Sequence, residues 1–280
     1  MKRHFVNFGI WIALTLLLLL CALYFLQGPA VFHPNDNPEQ RELLVAQPNF
    51  ETVKIISGKK TWNGMIRHAN ADAPSPLIIF FYGNYQNSAR AMHGIHAAGL
   101  WPYFNDYSFL IMDYAGYGLN DGRPTEKNIY EMALAAYDYA AAFPDVSRII
   151  VGGYSIGTGP AVYLAANREV DGLFLLSPYA NGYDLYNSAL PIFYGPLRLL
   201  VRYKFPSDAY AKAIDIPVLV VASRDDEVIP FRSTEQLHGA LNEESIFVTL
   251  SDVPHNSVFS HQTTLDSIRA YLDGIGLLGQ

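Results

Sequence analysis

The residues Gly153-Tyr154-Ser155-Ile156-Gly157 set a serine between two glycines. They directly follow the apolar run RIIV and lead into GPAVYLAANR, which has helical character. A strand that turns this tightly into a helix strains its central residue. The residues two before and two after it crowd the side chain, so both must lack a Cβ. The hydroxyl then stands at a helix N-terminus, whose partial positive charge favours an anionic intermediate. The chemistry this allows is attack of the hydroxyl on an acyl carbonyl. Two rivals fail within VGGYSIGTGPA. A phosphate loop needs a lysine after its last glycine, and none follows. A dinucleotide-binding turn needs a third glycine where Val162 stands. A purely structural turn stays open until partners for Ser155 are found.

A serine nucleophile needs a base and an acid that orients the base. Among eight histidines, His255 is singled out because it follows the last apolar strand, SIFVTLS. His261 is the fallback, whereas His93, His96 and His238 fall on helical stretches upstream. The acid must come from RDDEVIP, after PVLVVAS, which offers both Asp225 and Asp226. An oxyanion needs two backbone N–H donors. Ile156, after the nucleophile, supplies one. Asn84, in the loop after LIIFFYG, is the candidate for the other.

These groups all sit just past strand ends, so the elements must form a sheet that gathers such ends on one edge. TVKIIS and WNGMIRHA read as an early hairpin. PLIIFFYG, YSFLIMDY, RIIVGG, GLFLLSP, PVLVVAS and SIFVTLS read as strands, the first of them bounded by Pro76 and Gly83. Fully apolar runs of this length suit buried parallel strands. TEKNIYEMALAAYDYAAAF, PFRSTEQLHGAL and TTLDSIRAYLDGI read as helices, the first with a capping box at Thr125 and Asn128. This alternation predicts an α/β fold: a doubly wound, mostly parallel sheet with helices on both faces. Ligands collect at the C-terminal ends of such strands.

The first 26 residues differ in kind. Lys2 and Arg3 precede an uncharged run from Phe5 to Leu26. About 20 apolar residues span a bilayer, and secretory signals use roughly 7–15, so the length favours a retained anchor over a cleaved signal. Gly28-Pro29-Ala30 is the small-x-small site at which a signal would be cut. The cations before the run predict the N-terminus inside and the domain outside. Cys21, the one cysteine, lies in this run, so internal disulfides are excluded. Residues 27–50, rich in proline, asparagine and charge, read as a connector to a domain over 51–280. The net charge is −7, with 19 Lys and Arg against 26 Asp and Glu, which argues against nucleic acid as a partner.

The chain from about residue 25 onward resembles the α/β-hydrolase superfamily, and most of all its small membrane-anchored Bem-type and "α/β-hydrolase domain-containing" serine hydrolases. FFYGNYQNSA is similar to their strand followed by His-Gly-Asn. MDYAGYGLNDGRPTE resembles their Asp-Tyr-Arg-Gly-Tyr-Gly segment, IIVGGYSIGTGPAVYLA their elbow, and PHNSVF their terminal His-Asn-Asp. The resemblance implies an eight-stranded-type sheet with a short cap segment over 179–215, and a triad of Ser155, Asp226 and His255. It selects Asp226 over Asp225 because the family's acid stands four residues before the proline. It implies an ester or thioester substrate with a small or lipid acyl group, and neither metal nor organic cofactor. A peptidase or amidase on the same fold, or a non-catalytic binding protein, is the alternative. The chain departs from the pattern at Tyr82, Ala115 and Asn120, where the family has histidine, arginine and serine. Tyr82 and Tyr179, each at a strand end, are the candidate pocket-wall residues; Tyr179 opens a cap segment also rich in Tyr186, Phe193, Tyr203 and Phe205.

Overall fold

The computed structural model describes residues 2–34, 39–70 and 74–277. Along the chain it runs α1 (Lys2–Phe25), α2 (Gln27–Val31), α3 (Glu39–Val45), β1 (Phe50–Ser57), β2 (Lys60–Arg67), β3 (Ser75–Phe81), α4 (Ser88–Ala97) and β4 (Ser108–Met112). It continues through α5 (Glu126–Ala141), β5 (Val146–Tyr154), α6 (Thr158–Ala165), β6 (Gly172–Leu176) and α7 (Gly182–Ala189). It ends with α8 (Ser207–Ala211), β7 (Val218–Ser223), α9 (Phe231–His238), β8 (Ile246–Leu250) and α10 (Gln262–Leu277).

Among the described residues, eight strands form one sheet in the order β1-β2-β4-β3-β5-β6-β7-β8. β1 and β2 make the expected hairpin, and β2 runs antiparallel to β4. Every pairing from β4 to β8 is parallel. Burial explains the sequence patterns. β4, β6 and β7 are buried along their whole length, which is why they read as unbroken apolar runs. The edge strand β1 alternates between buried and exposed positions. The β3–β5 register shifts between Ser75 and Leu77, around Pro76, which has no N–H to give the ladder.

Helices pack on the sheet in two groups, α3 with α4, and α5 with α6, α8 and α9, while α10 lies on β7 and β8. The Thr125 hydroxyl caps α5 by accepting from the Asn128 N–H at 3.1 Å. The reciprocal half of the expected box does not form there. The Asn128 carboxamide instead donates to the Arg123 carbonyl and accepts from Lys60 Nζ.

The stretch read as a connector folds onto the domain. Its local pattern has no period, but single side chains bury deeply: Gln27, Phe32 and Leu44 are at most 3% exposed. The Gln27 carboxamide donates to the Leu200 carbonyl at 2.8 Å and accepts from the Arg202 N–H at 2.8 Å. Phe32 meets Tyr203 edge-on. Ahead of it, Asn7–Phe25 of α1 has mean hydropathy 2.4 with none of its length buried. It is long and apolar enough to cross a membrane.

Candidate active site

β5 delivers Tyr154 to the sheet edge, and Ser155 follows at φ +54°, the left-handed region that side chains resist. The chain turns through Ser155–Gly157 into α6, where the Thr158 hydroxyl donates to the Ser155 carbonyl. A Cβ at Gly153 would lie 2.7 Å from the Gly157 carbonyl oxygen and 2.8 Å from the Thr158 Cα. One at Gly157 would run into the Phe81 carbonyl and lie 2.6 Å from that of Tyr82. The crowding expected of G-x-S-x-G is therefore present on both sides of the serine. Gly159 has a different reason: a Cβ there would strike the Tyr179 hydroxyl.

His255, just past β8, points Nε2 at Ser155 Oγ across 2.9 Å. Its Nδ1 lies 2.8 Å from Oδ2 and 3.0 Å from Oδ1 of Asp226, just past β7. Ser155 and His255 are 7% and 5% exposed. Burial alone would raise the Asp226 carboxyl. The bonds from His255 and the Ile229 N–H outweigh it and hold the carboxyl below its ordinary value. Asp226 Oδ1 also accepts from Val228 N–H at 2.9 Å and from Ile229 N–H at 2.7 Å. Asp225 takes no part, since its Oδ2 accepts from the Asp252 N–H and ties the two loops together. His261 lies in the turn that leads into α10.

Two neighbours that carried no chemical signal hold His255. Tyr154, a variable position of the elbow motif, stacks on its ring and donates to its carbonyl at 2.8 Å. The Glu227 carboxylate accepts its N–H at 3.0 Å. Asn84 stands beside the serine turn, with its side chain fully engaged. Its Oδ1 accepts from Tyr117 OH and His33 N–H, and its Nδ2 donates to the Val31 carbonyl.

No family model matches the chain. An uncharacterised protein of Mycobacterium tuberculosis is 33% identical over 259 residues, covering 91% of this chain and 90% of that one. Alpha/beta hydrolase domain-containing protein aho-3 of Caenorhabditis elegans is 29% identical over 198 residues, 70% of this chain and 57% of its own. Lysophosphatidylserine lipase ABHD12 of Rattus norvegicus is 28% identical over 187 residues, 58% of this chain and 44% of its own. Among solved structures, Est1E from Butyrivibrio proteoclasticus superposes with a TM-score of 0.64 at 18% identity, over 80% of this chain and 98% of that one. The chain belongs to the α/β-hydrolase superfamily.

In this α/β-hydrolase the departures from the family pattern are each absorbed locally. The Tyr82 hydroxyl accepts from the Tyr114 N–H at 3.0 Å, while Tyr114 OH donates to the Tyr82 carbonyl at 2.8 Å, which locks the ends of β3 and β4 together. Asn120 accepts from the Asn63 N–H and donates to the Asp113 carbonyl. Ala115 is buried, and Arg41 of α3 brings a guanidinium to 3.8 Å from Asp113 instead.

Burial bears also on the two candidate pocket-wall residues. Tyr82 and Tyr179 are both 0% exposed and are not among the residues lining the cavity over Ser155 and His255. Tyr82 is turned inward by its bond with Tyr114. Tyr179 fills the space that Gly159 leaves, and donates to the Ile156 carbonyl at 3.2 Å. The cavity over Ser155 and His255, about 720 Å³, is walled instead by Leu185, Tyr186, Phe193 and Phe205 of the cap segment. Leu23, Leu26, Ala30 and Val31 wall it from the N-terminal side. Nothing in the sequence marked these last four: Leu23 and Leu26 belong to a membrane-type run that is apolar all round, and Ala30 and Val31 to the stretch read as a connector. A second hollow of about 740 Å³, between α5 and the cap, contains none of Ser155, Asp226 and His255.

Proposed function

We propose that this hydrolase cleaves a carboxylic ester or thioester by way of an acyl-enzyme, with Ser155, His255 and Asp226 as its triad. Ser155 Oγ bonds to the acyl carbon as its proton passes to His255 Nε2. The carbonyl oxygen becomes an oxyanion, held by the N–H groups of Ile156 and Asn84. The imidazolium gives that proton to the leaving alcohol or thiol as the carbon–heteroatom bond breaks. Water then attacks the acyl carbon, losing its proton to Nε2, and Nε2 returns that proton to Ser155 Oγ as the acyl–oxygen bond breaks and the acid is released. Asp226 keeps Nδ1 protonated throughout and stabilises the imidazolium. The chemistry calls for no metal and no organic cofactor.

The observation that carries this reading is the relay of 2.8 Å and 2.9 Å contacts ending on a serine at positive φ. The lipase name of ABHD12 and the apolar lining of the cavity support an acyl-lipid substrate. We place the enzyme in a membrane through α1. Lys2 and Arg3 at its start support a domain on the extracytoplasmic side. A fluorophosphonate probe is expected to label the full chain, and Ser155→Ala to abolish labelling. Labelling that persists in the variant overturns the assignment.

A further inference from the structure

The end of the apolar helix is built into the substrate cavity. Leu23, Leu26, Gln27, Ala30 and Val31 line the same cavity as Ser155 and His255. From these contacts we propose that α1 and the turn after it form a permanent wall of the acyl pocket. The pocket then opens at the boundary between hydrocarbon and headgroups, and takes the acyl chain of a bilayer-resident ester lipid directly from the leaflet. This rests on the serine-hydrolase reading above and adds where its substrate comes from.

Three features carry it. The first is depth. Asn7–Phe25 has 19 residues, and at ~1.5 Å each it spans a hydrocarbon core of ~30 Å, so Phe25 marks one edge of that core. Leu23 and Leu26 bracket that edge, so the cavity mouth lies at the level where a glycerolipid carries its ester bonds. Tyr24 is at the same level under the Arg202 guanidinium, 5.7 Å away, and tyrosine and arginine are side chains suited to this interface.

The second is rigidity. Gln27 clamps the helix end to Leu200 and Arg202 through both ends of its carboxamide, and a Cβ at Gly28 would come within 3.1 Å of the Tyr203 hydroxyl. A chain cut after Ala30 would lose the clamp and most of the wall. The third is the surface beside the mouth. The turn Gly195–Leu200 packs on α1 and leaves Leu199 84% exposed, and Leu190, just after α7 at the cavity rim, is 48% exposed. Apolar side chains so exposed beside a membrane helix suit contact with the leaflet.

The test uses the full chain in lipid nanodiscs. The ratio of kcat/KM for p-nitrophenyl decanoate to that for the acetate is measured in Leu26→Trp, Ala30→Phe and the control Leu17→Trp, which lies on α1 away from the cavity. Each methylene excluded from an apolar pocket is worth about 4-fold, from ~0.8 kcal/mol. The ratio is expected to fall by at least about 10-fold in the two wall variants and to hold in the control. A ratio unchanged in both wall variants overturns the wall. A second measurement needs no variant: hydrolysis of a long-chain fluorogenic diacyl ester lipid placed in the enzyme's own nanodisc or in separate nanodiscs. At least about tenfold faster turnover in the shared disc is expected. Equal rates, or none in either arrangement, overturn the bilayer route. Failure of the unmodified chain to hydrolyse even the acetate ester is distinct from all of these, and overturns the hydrolase reading itself.

Discussion

Asp226→Asn is the substitution whose consequence follows most directly from the geometry. Oδ1 of Asp226 receives two backbone N–H groups, at 2.7 and 2.9 Å, while Oδ2 faces His255 Nδ1 at 2.8 Å. An asparagine has two ways to sit there. With its oxygen on the backbone N–H groups, it points its NH₂ at Nδ1 and forces the imidazole proton onto Nε2. That nitrogen then donates toward Ser155 and is no longer a base. With the amide flipped, two backbone donors face an NH₂ in a buried site, which costs about 1–3 kcal/mol per unsatisfied group. The first arrangement wins and leaves the wrong tautomer. Loss of the oriented base in such a triad costs about 10⁴-fold, or about 5.5 kcal/mol of transition-state stabilisation. Asp225→Asn keeps an oxygen to accept the Asp252 N–H, as Oδ2 does at 2.7 Å, and loses only the charge. It is expected to change kcat/KM by less than about 3-fold, at a cost of no more than about 1 kcal/mol in stability. The assay is kcat/KM on p-nitrophenyl butyrate for both variants, with Tm recorded beside it. Similar losses in the two variants, or a loss under about 10-fold for Asp226→Asn, would refute the reasoning.

Gly157→Ala pushes a methyl into the Phe81 and Tyr82 carbonyls, and overpacking against backbone costs about 1–3 kcal/mol. Both Tm and kcat should fall, because the clash separates the serine turn from the loop that holds Asn84; wild-type values of both would mean the turn is not tight. Acid should narrow the stability gap between the wild type and Asp226→Asn. The Asp226 carboxyl is held below its ordinary 3.8, so its contribution is present above 3.8 and is lost as pH falls through the lowered folded value. Melts from pH 7 to 3 that show a constant or widening gap would contradict that direction.

The sheet, and the positions of the three residues proposed as the triad, were legible in the sequence for one reason. Buried parallel strands write themselves as short apolar runs, and the chemistry of this fold sits in the loops just past them. Ser155, Asp226 and His255 stand one, three and five residues past the ends of β5, β7 and β8. Asp225 and Asp226 stood undivided on local pattern alone, because the choice depends on which carboxylate the loop turns inward, and that is set by the Val228 and Ile229 N–H groups. Tyr82 and Tyr179 stand at strand ends too, yet both point into the core. A rule about position along a strand says nothing about side-chain direction, and each ring found space made by another residue, Tyr114 in one case and Gly159 in the other.

The part least visible in the sequence was residues 27–34, and they bear on function in two ways. Gln27 and Phe32 fix the helix end to the cap segment. Val31 and His33 fix the Asn84 side chain from the other direction, and His33 stacks on Tyr85, itself at φ +62°. The loop proposed to supply an oxyanion N–H is therefore held in part by the segment that follows α1. A strained loop persists only where its surroundings over-determine it. Here some of those surroundings hang from α1, so anything that pulls that helix away from the domain should disturb the acyl wall and the oxyanion loop together. Read as a tether alone, the segment would have no need of buried side chains, and a connector of any sequence would serve.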